Sequence, residues 1–143
     1  MKRLLLFLLL AVFTGSLVFA SEGPIANLSL NQEKIQLIER NLIIGLESNI
    51  PTLQASAALV LRQVKAMAPQ YEFSLGVIPL LRLVRTEGLD ATVRMAAALA
   101  LHDLNSARGD FAIARIAKYE DNPRVKKLFQ ALTYDRGLEN ILF

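Results

Sequence analysis

The sequence predicts an all-α protein in which about six helices form three antiparallel hairpins, stacked as a short right-handed solenoid. Three observations carry this prediction. Apolar residues recur every three or four positions along most of the chain, which is the spacing of one helix face. Capping side chains and prolines mark where helical segments begin. One segment also repeats after 40 residues, a period typical of helical repeat proteins.

The beginning of the chain has the pattern of a secretory signal peptide. Two basic residues precede an apolar run that ends in small residues, so residues 1–20 are expected to be removed after Ala20. The alternative is an uncleaved anchor, since the apolar run 4–20 is at the short limit for crossing a bilayer. We therefore expect an exported protein, periplasmic or secreted in a bacterial context, with no stable membrane insertion after leader removal.

Composition excludes several kinds of site. The chain has no cysteine and one histidine, which excludes disulfides and leaves no Cys/His set for a zinc ion. Without Lys2 and Arg3, 14 basic residues face 13 acidic ones, so the formal charge falls from +3 to +1. Nucleic-acid-binding proteins usually carry a basic stripe with stacking aromatic residues, and this near-neutral chain without tryptophan is not expected to bind nucleic acid. No metal or cofactor is expected.

The helical domain is predicted at 29–143, after a flexible leader at 21–28. The first helix is expected at about 30–48, where Ser29 can form a capping box with the glutamine three residues later. Its apolar residues form one stripe, and charged residues such as Glu39 are expected to lie mostly off that stripe.

Prolines place the next two helices. Pro51 is suited to the first turn of a helix, which predicts the second helix at 51–67. The third helix is expected at about 73–86 and contains Pro79, either near its first turn or at a kink.

The fourth helix has an alanine-rich face that allows close approach of neighbouring helices. Asp90 is expected to cap it, and the helix is expected to run to about Ser106. Asp110 is then expected to cap a short fifth helix at 111–119.

The last helix begins with a start signal in which a capping side chain is followed by proline. Asn122 is predicted to cap it, with proline in its first turn, and the helix is expected to end at about Tyr134. The apolar tail 138–143 is expected to fold back over the end of the domain.

The second and fourth helices are copies of one pattern. Residues 53–64 align without a gap on residues 93–104, and both copies keep an alanine pair and aliphatic residues at both ends. A period of 40 residues with two helices per unit is typical of an α-solenoid. A third unit, at about 110–134, is degenerate, as expected for a unit that ends a stack.

The repeated motif leads to a family resemblance. Val93-Arg94-x-x-Ala97-Ala98-x-Ala100-Leu101 resembles the second-helix signature of HEAT repeats, and residues 77–81 are similar to the first-helix signature. The chain departs from the family where Arg62 and His102 replace its usual glycine. The resemblance implies stacked helical hairpins that serve mainly as surfaces for binding other proteins.

The expected function is therefore a non-enzymatic protein-binding or peptide-binding module, an adaptor or scaffold, in which second helices line a concave face. The candidate protein-binding residues are Gln54, Arg62, Arg94 and His102. An alternative is a structural subunit that stacks through its end helices in an oligomer or larger envelope complex. A third class, an enzyme, is not expected, because the sequence has no recognisable catalytic motif and no catalytic residue is assigned.

Three smaller expectations concern individual side chains. A catalytic His102 would need carboxylate partners, and Asp103 points about 100° away around the helix, so no catalytic role is expected. Asp90 and Arg94 are four residues apart and are expected to pair on one face. Phe111 is expected in the core, and the basic residues of the last unit are expected to form a solvated face.

Overall fold

The computed structural model describes residues 31–143, and this part of the chain is all-α, with no strand. Its elements are α1 Gln32–Leu46, α2 Pro51–Met67, α3 Ser74–Arg85, α4 Ala91–Asp103, α5 Ala107–Tyr119, α6 Pro123–Asp135 and a 3₁₀ helix Glu139–Ile141. The predicted signal peptide, the flexible leader and the capping role of Ser29 lie outside the described residues.

The six helices form two layers. Each odd-numbered helix packs against the even-numbered helix that follows it, and the short connections make these pairs antiparallel hairpins. Helices α1, α3 and α5 pack side by side in one layer, and α2, α4 and α6 pack side by side in the other. This arrangement confirms the predicted all-α fold and the stack of three helical hairpins.

Helix α4 occupies the centre of the stack. It packs against α2, α3, α5 and α6, and its Ala97, Ala98, Ala100 and Leu101 are fully buried. Small side chains let four helix backbones approach this one helix. The prediction that the alanine-rich segment lies between other helices is therefore confirmed.

Two predicted caps are confirmed. The carboxylate of Asp90 accepts hydrogen bonds from the backbone N–H of Thr92 at 2.8 Å and of Val93 at 3.4 Å. The Asn122 side chain accepts from the N–H of the second and third residues of α6. Both caps satisfy backbone donors that the first turn of a helix leaves unpaired.

The predicted connection between the fourth and fifth helices is wrong in detail. Helix α4 ends three residues earlier than expected, and Asn105 takes a positive φ of 53° in the turn that follows. Helix α5 begins at Ala107, because the Ser106 hydroxyl caps it by accepting from the Gly109 N–H at 3.1 Å. Asp110 is thus a buried residue of the first turn and not the cap.

Helix α3 begins with a cap supplied by another hairpin. Its own N-terminal residues provide no side-chain cap, but Oε1 of Glu39 in α1 accepts from the N–H groups of Leu75 at 2.9 Å and Gly76 at 3.2 Å. The Tyr71 hydroxyl donates to the other carboxylate oxygen at 3.1 Å. Glu39 is therefore buried at the junction of hairpins one and two, and the expectation that it lies off the buried face is wrong.

Pro79 lies in the second turn of α3 and is buried. It has no N–H, so the usual helical hydrogen bond to the carbonyl four residues earlier cannot form at this position. One of the two predicted placements, near the first turn of the helix, is therefore wrong for Pro79.

The C-terminal tail covers the last hairpin, as predicted. The 3₁₀ helix packs on α5 and α6, and Leu142 packs against the buried core. The Lys118 ammonium group donates to the backbone carbonyl of Phe143. These contacts hold the end of the chain against the outer side of the stack.

Candidate functional site

The four predicted binding residues all make internal contacts. Gln54, at the start of α2, is buried, and its side-chain amide donates to the carbonyl of Ser48 at 2.7 Å. Arg62 in α2 forms an ion pair with Asp103 in α4, with 2.5 Å between nitrogen and oxygen, and both side chains are about one-third exposed. The first contact closes the α1–α2 turn, and the second joins hairpins one and two.

Arg94 is the most buried of the four, at 6% exposure. Its two terminal nitrogens contact the two carboxylate oxygens of Glu120 at 3.1 Å and 2.5 Å, and its Nε donates to the Val84 carbonyl at 3.3 Å. The guanidinium group also lies 5.8 Å from the ring centre of Phe129. Arg94 therefore pairs across two hairpins, and the predicted pairing with Asp90 is wrong.

The pKa of Glu120 reflects this pairing. Burial of the carboxyl group would raise its pKa, but hydrogen bonds from Arg94 and from the Asn122 backbone, together with the charges of Arg94 and Lys126, outweigh burial. The pKa of Glu120 therefore lies below its ordinary value, and the carboxylate is charged in the fold.

His102 does have carboxylate neighbours, although Asp103 is not one of them. Its Nε2 lies 3.0 Å from Oδ2 of Asp135, and its Nδ1 lies 3.6 Å from Oδ1 of Asp110. Arg136 places its Nε 3.0 Å from Oδ2 of Asp110 and donates through Nη2 to the carbonyl of His102. The cluster thus joins α4, α5 and the end of α6.

Asp110 differs from Glu120 in its electrostatics. Burial raises the pKa of Asp110, although the charges of Arg136 and His102 act in the opposite direction. Nδ1 of His102 and Nε of Arg136 lie close to the carboxylate of Asp110. Within residues 31–143, however, these two nitrogens form no hydrogen bond with full geometry. Desolvation therefore decides the direction at Asp110, whereas hydrogen bonds and charges together outweigh it at Glu120.

These contacts change the interpretation of the predicted site. Gln54 and Arg94 are buried, and Arg62 and His102 are partly exposed. A role of these four residues in partner binding stays a prediction. The contacts that the structure assigns to them hold turns and hairpins together.

A groove lies elsewhere, on the layer of odd-numbered helices. It has a volume of about 800 Å³ and runs between the end of α3 and the exposed face of α5, with the turns after both helices at its edges. The Arg94–Glu120 pair also lines it, and Arg94 is the only one of the four predicted residues that does. The groove therefore connects the buried junction of hairpins two and three with the surface.

Two exposed aromatic residues line this groove. Phe111 is 51% exposed and Tyr119 is 77% exposed, and both lie on α5 with Arg115 midway between them. Because these residues are spaced four apart, they share one face of the helix. The expectation that Phe111 lies in the core is wrong, since an aromatic residue type alone does not tell which face of an amphipathic helix it occupies.

The helices beside the groove are basic. Helix α3 contains no acidic residue, and the single acidic residue of α5, Asp110, is buried. Exposed Arg85, Arg108 and Arg115 make no ion pair within residues 31–143, whereas the exposed carboxylates that line the groove lie in the turns at its edge. The helical walls thus combine aromatic surface with unpaired positive charge.

Within residues 31–143, no three His, Cys, Asp or Glu side chains are grouped so that they could hold a metal ion. The same part of the chain contains no helix with the length and hydropathy needed to cross a membrane. Comparison with protein-family models, with curated proteins and with solved structures found no match to the chain. The resemblance to HEAT repeats therefore stays a prediction.

Proposed function

We propose that the protein is an exported, non-enzymatic binding module built on HEAT-like repeats, and that the α3–α5 groove holds a segment of a partner protein or peptide. The partner segment carries apolar side chains that contact the aromatic residues of α5 and carboxylates that pair with the arginines of the groove. The site is thus on the odd-numbered helices, whereas the sequence had favoured the even-numbered ones.

The observation that carries the proposal is the exposure of Phe111 and Tyr119 beside Arg115 on one helix face. Aromatic and arginine side chains contribute most of the energy at many protein interfaces, because they bury large area and keep directional polar contacts. Exposed aromatic side chains clustered in a concave site are also uncommon on surfaces that contact only water.

The unpaired arginines on the helical walls of the groove support a protein segment with acidic residues. Arg85 and Arg115 lie on opposite walls, and neither has an ion-pair partner within the described helices and turns. Carboxylates between these walls would gain two charge-assisted hydrogen-bond donors. The groove is lined by α5 from Phe111 to Tyr119. At 1.5 Å per residue this stretch is about 12 Å long, which suits a short helix or an extended segment.

Photo-crosslinking in intact cells tests this proposal with the full chain. A photoreactive phenylalanine derivative replaces Tyr119 in the groove, and a matched variant carries it at Tyr134 on α6, which is exposed at 55% but lies outside the groove. We expect a protein adduct at position 119 that is lost when Arg115→Glu is added. Equal adducts at both positions, or an adduct indifferent to Arg115→Glu, would contradict a specific groove.

Export is tested separately by cell fractionation and by sequencing the N terminus of the purified protein. A mature chain that begins at Ser21 and is found outside the cytoplasm is expected. An intact N terminus in the membrane fraction would favour the anchor instead, and a cytoplasmic protein would contradict export while leaving the groove proposal to its own test.

A further inference from the structure

The first hairpin exposes an apolar face at the beginning of the stack. In α1, Glu39 faces α3 through its hydrogen bonds, and Gly45 faces α2, because a Cβ built on it would lie 2.9 Å from the Cβ of Ala57. At about 100° per residue, Leu37 and Ile44 project about 140–160° from Glu39 and so point away from α3. The same geometry places them about 80–100° from Gly45, so these side chains lie beside the contact with α2 and not within it.

Helix α2 continues this face. Arg62 points toward α4, where it forms its ion pair. At about 100° per residue, Leu53, Val60 and Met67 project about 140–180° from Arg62 and so point away from α4. Leu53 also lies next to the Gly45 backbone of α1. The two helices together present what we call the first end face, formed by Leu37, Ile44, Leu53, Val60 and Met67.

The first end face is apolar at its centre, and the exposed charged residues Glu33, Lys34 and Arg40 lie beside it on α1. Its five side chains are 40–71% exposed. Helix α2 has no acidic residue, and its two basic side chains are engaged elsewhere, Arg62 with Asp103 and Lys65 with the carbonyls of Pro69 and Tyr71. Among the described helices, this is the face on which a further hairpin of a longer solenoid would stack.

The last end of the stack is closed. The tail packs across α5 and α6 there, with Leu142 against the core. A head-to-tail contact between copies, from a first end to a last end, would have to displace this tail. Contact between two first ends displaces none of residues 31–143, and it closes after two copies because the same face is used by both.

We propose that two copies of this chain pair head to head through their first end faces, forming a twofold-symmetric dimer in which α1 and α2 of one copy pack on α1 and α2 of the other. The inference goes beyond the groove, which lies on the α3–α5 surface and is not used in this contact. It also specifies the alternative function of a subunit that stacks through its end helices, because the partner in the stack is a second copy of this chain.

The size of the face limits the area that the dimer can bury. Helices of 15 and 17 residues, lying side by side, offer a face about 25 Å long and about 20 Å wide. Two such faces bury on the order of 1,000 Å², near the lower limit for a specific protein interface. The expected dimer is therefore weak and concentration-dependent, with a dissociation constant in the micromolar range, on the order of 10 µM.

A second copy fits this face better than a lipid surface does. Helices that lie on membranes usually carry lysine and arginine around their apolar side chains, which bind lipid headgroups. The exposed positions of α2 beside its apolar stripe are uncharged, among them Ser56 and Gln63. On α1 the charged margin contains both signs, with exposed Glu33 near Arg40. A face with an apolar centre and a margin of both signs can be complementary to itself, because opposite charges of two copies can pair across a twofold axis.

Cysteine crosslinking of the full chain in cells tests the dimer directly, because the chain has no cysteine of its own. Single variants Leu37→Cys, Ile44→Cys and Val60→Cys sample the first end face, and Tyr134→Cys is a control on the last hairpin. We expect a covalent dimer from at least one of the three after oxidation or with a short bis-maleimide, and monomer from the control. Monomer from all three, or a dimer from Tyr134→Cys as well, would overturn the proposal.

Sedimentation equilibrium measures the affinity and separates the alternatives. The chain from Ser21, which keeps all six packed helices, is expected to shift from monomer to dimer as its concentration rises, and Ile44→Glu should weaken the dimer at least about tenfold. Circular dichroism checks that the variant folds. A monomer at all concentrations would overturn the proposal. So would a monomer that dimerises only after residues 21–30 are removed, or one that binds phosphatidylglycerol vesicles through this face.

Discussion

The first and last hairpins of the stack differ in whether their outer sides are covered. On the last hairpin, the tail covers α5 and α6 and places Leu142 against the core. On the first hairpin, Leu37, Ile44 and Val60 are exposed, and no described residue covers them. Every hairpin in a solenoid has two sides to bury, so the difference indicates which end of this molecule is available for another chain.

The two junctions between hairpins differ as well. The first is joined by the buried carboxylate of Glu39, which caps α3, and by the partly exposed Arg62–Asp103 pair. The second is joined by the buried Arg94–Glu120 pair and by the cluster around Asp110. The second junction therefore contains more buried charge, and its stability should depend more strongly on charge-removing substitutions.

The largest expected effect is at the second junction. Glu120→Gln keeps the shape of the side chain but leaves the buried Arg94 guanidinium group without a counter-charge. We expect the free energy of unfolding to fall by about 3 kcal/mol, measured by urea denaturation. Asp103→Asn is the matched control in the exposed pair, where a loss within about 1 kcal/mol is expected. Equal losses in the two variants would contradict the difference between the junctions.

A smaller effect is expected at the first junction. Glu39→Met removes the acceptor for two backbone N–H groups of α3, and the free energy of unfolding should fall by about 2 kcal/mol. Glu39→Gln retains a carbonyl oxygen that can accept the same N–H groups, so it should preserve most of the stability. If Glu39→Gln were as damaging as Glu39→Met, the negative charge and not the cap would be the stabilising feature.

The smallest expected effect is the pH dependence of the second junction. The pKa of Glu120 is lowered in the fold from its ordinary 4.5, so its stabilisation is present above about 4.5 and is lost as the pH falls through the folded value. The pKa of Asp110 is raised from 3.8, so its contribution has the opposite sign and is lost as the pH rises.

Thermal unfolding measured between about pH 5 and about pH 3 distinguishes the contributions of Glu120 and Asp110 to stability. Glu120→Gln should flatten the loss of stability toward acid, and Asp110→Asn should steepen it. Changes of the same sign in both variants would mean that the opposite pKa directions assigned to these residues are wrong.

The sequence predicted the features that depend on nearby residues. The start signals at Asp90 and Asn122 and the bounds of α2 could be predicted because capping and proline geometry act within a few positions. The alanine-rich repeat predicted the central helix for the same reason: the pattern lies within one segment and recurs in another. The start of α5 was still predicted wrongly. Ser106 and Asp110 are both residue types that cap helices, and the sequence pattern did not show which of them does so.

Contacts between hairpins could not be predicted in the same way. The partners of Glu39, Arg94 and His102 lie in other hairpins, and no spacing along one helix indicates them. The groove was missed because Phe111 was assigned to the core from its residue type, whereas its face is decided by which neighbours α5 packs against.

Hydrogen exchange measured at low and high protein concentration tests the difference between the two ends most directly. If the first end faces pair, amide exchange in α1 and α2 should slow as the concentration rises, and exchange in α6 and the tail should not change. Slower exchange in α6 and the tail, or no change anywhere across a concentration range that spans the micromolar region, would contradict head-to-head pairing through the first hairpin.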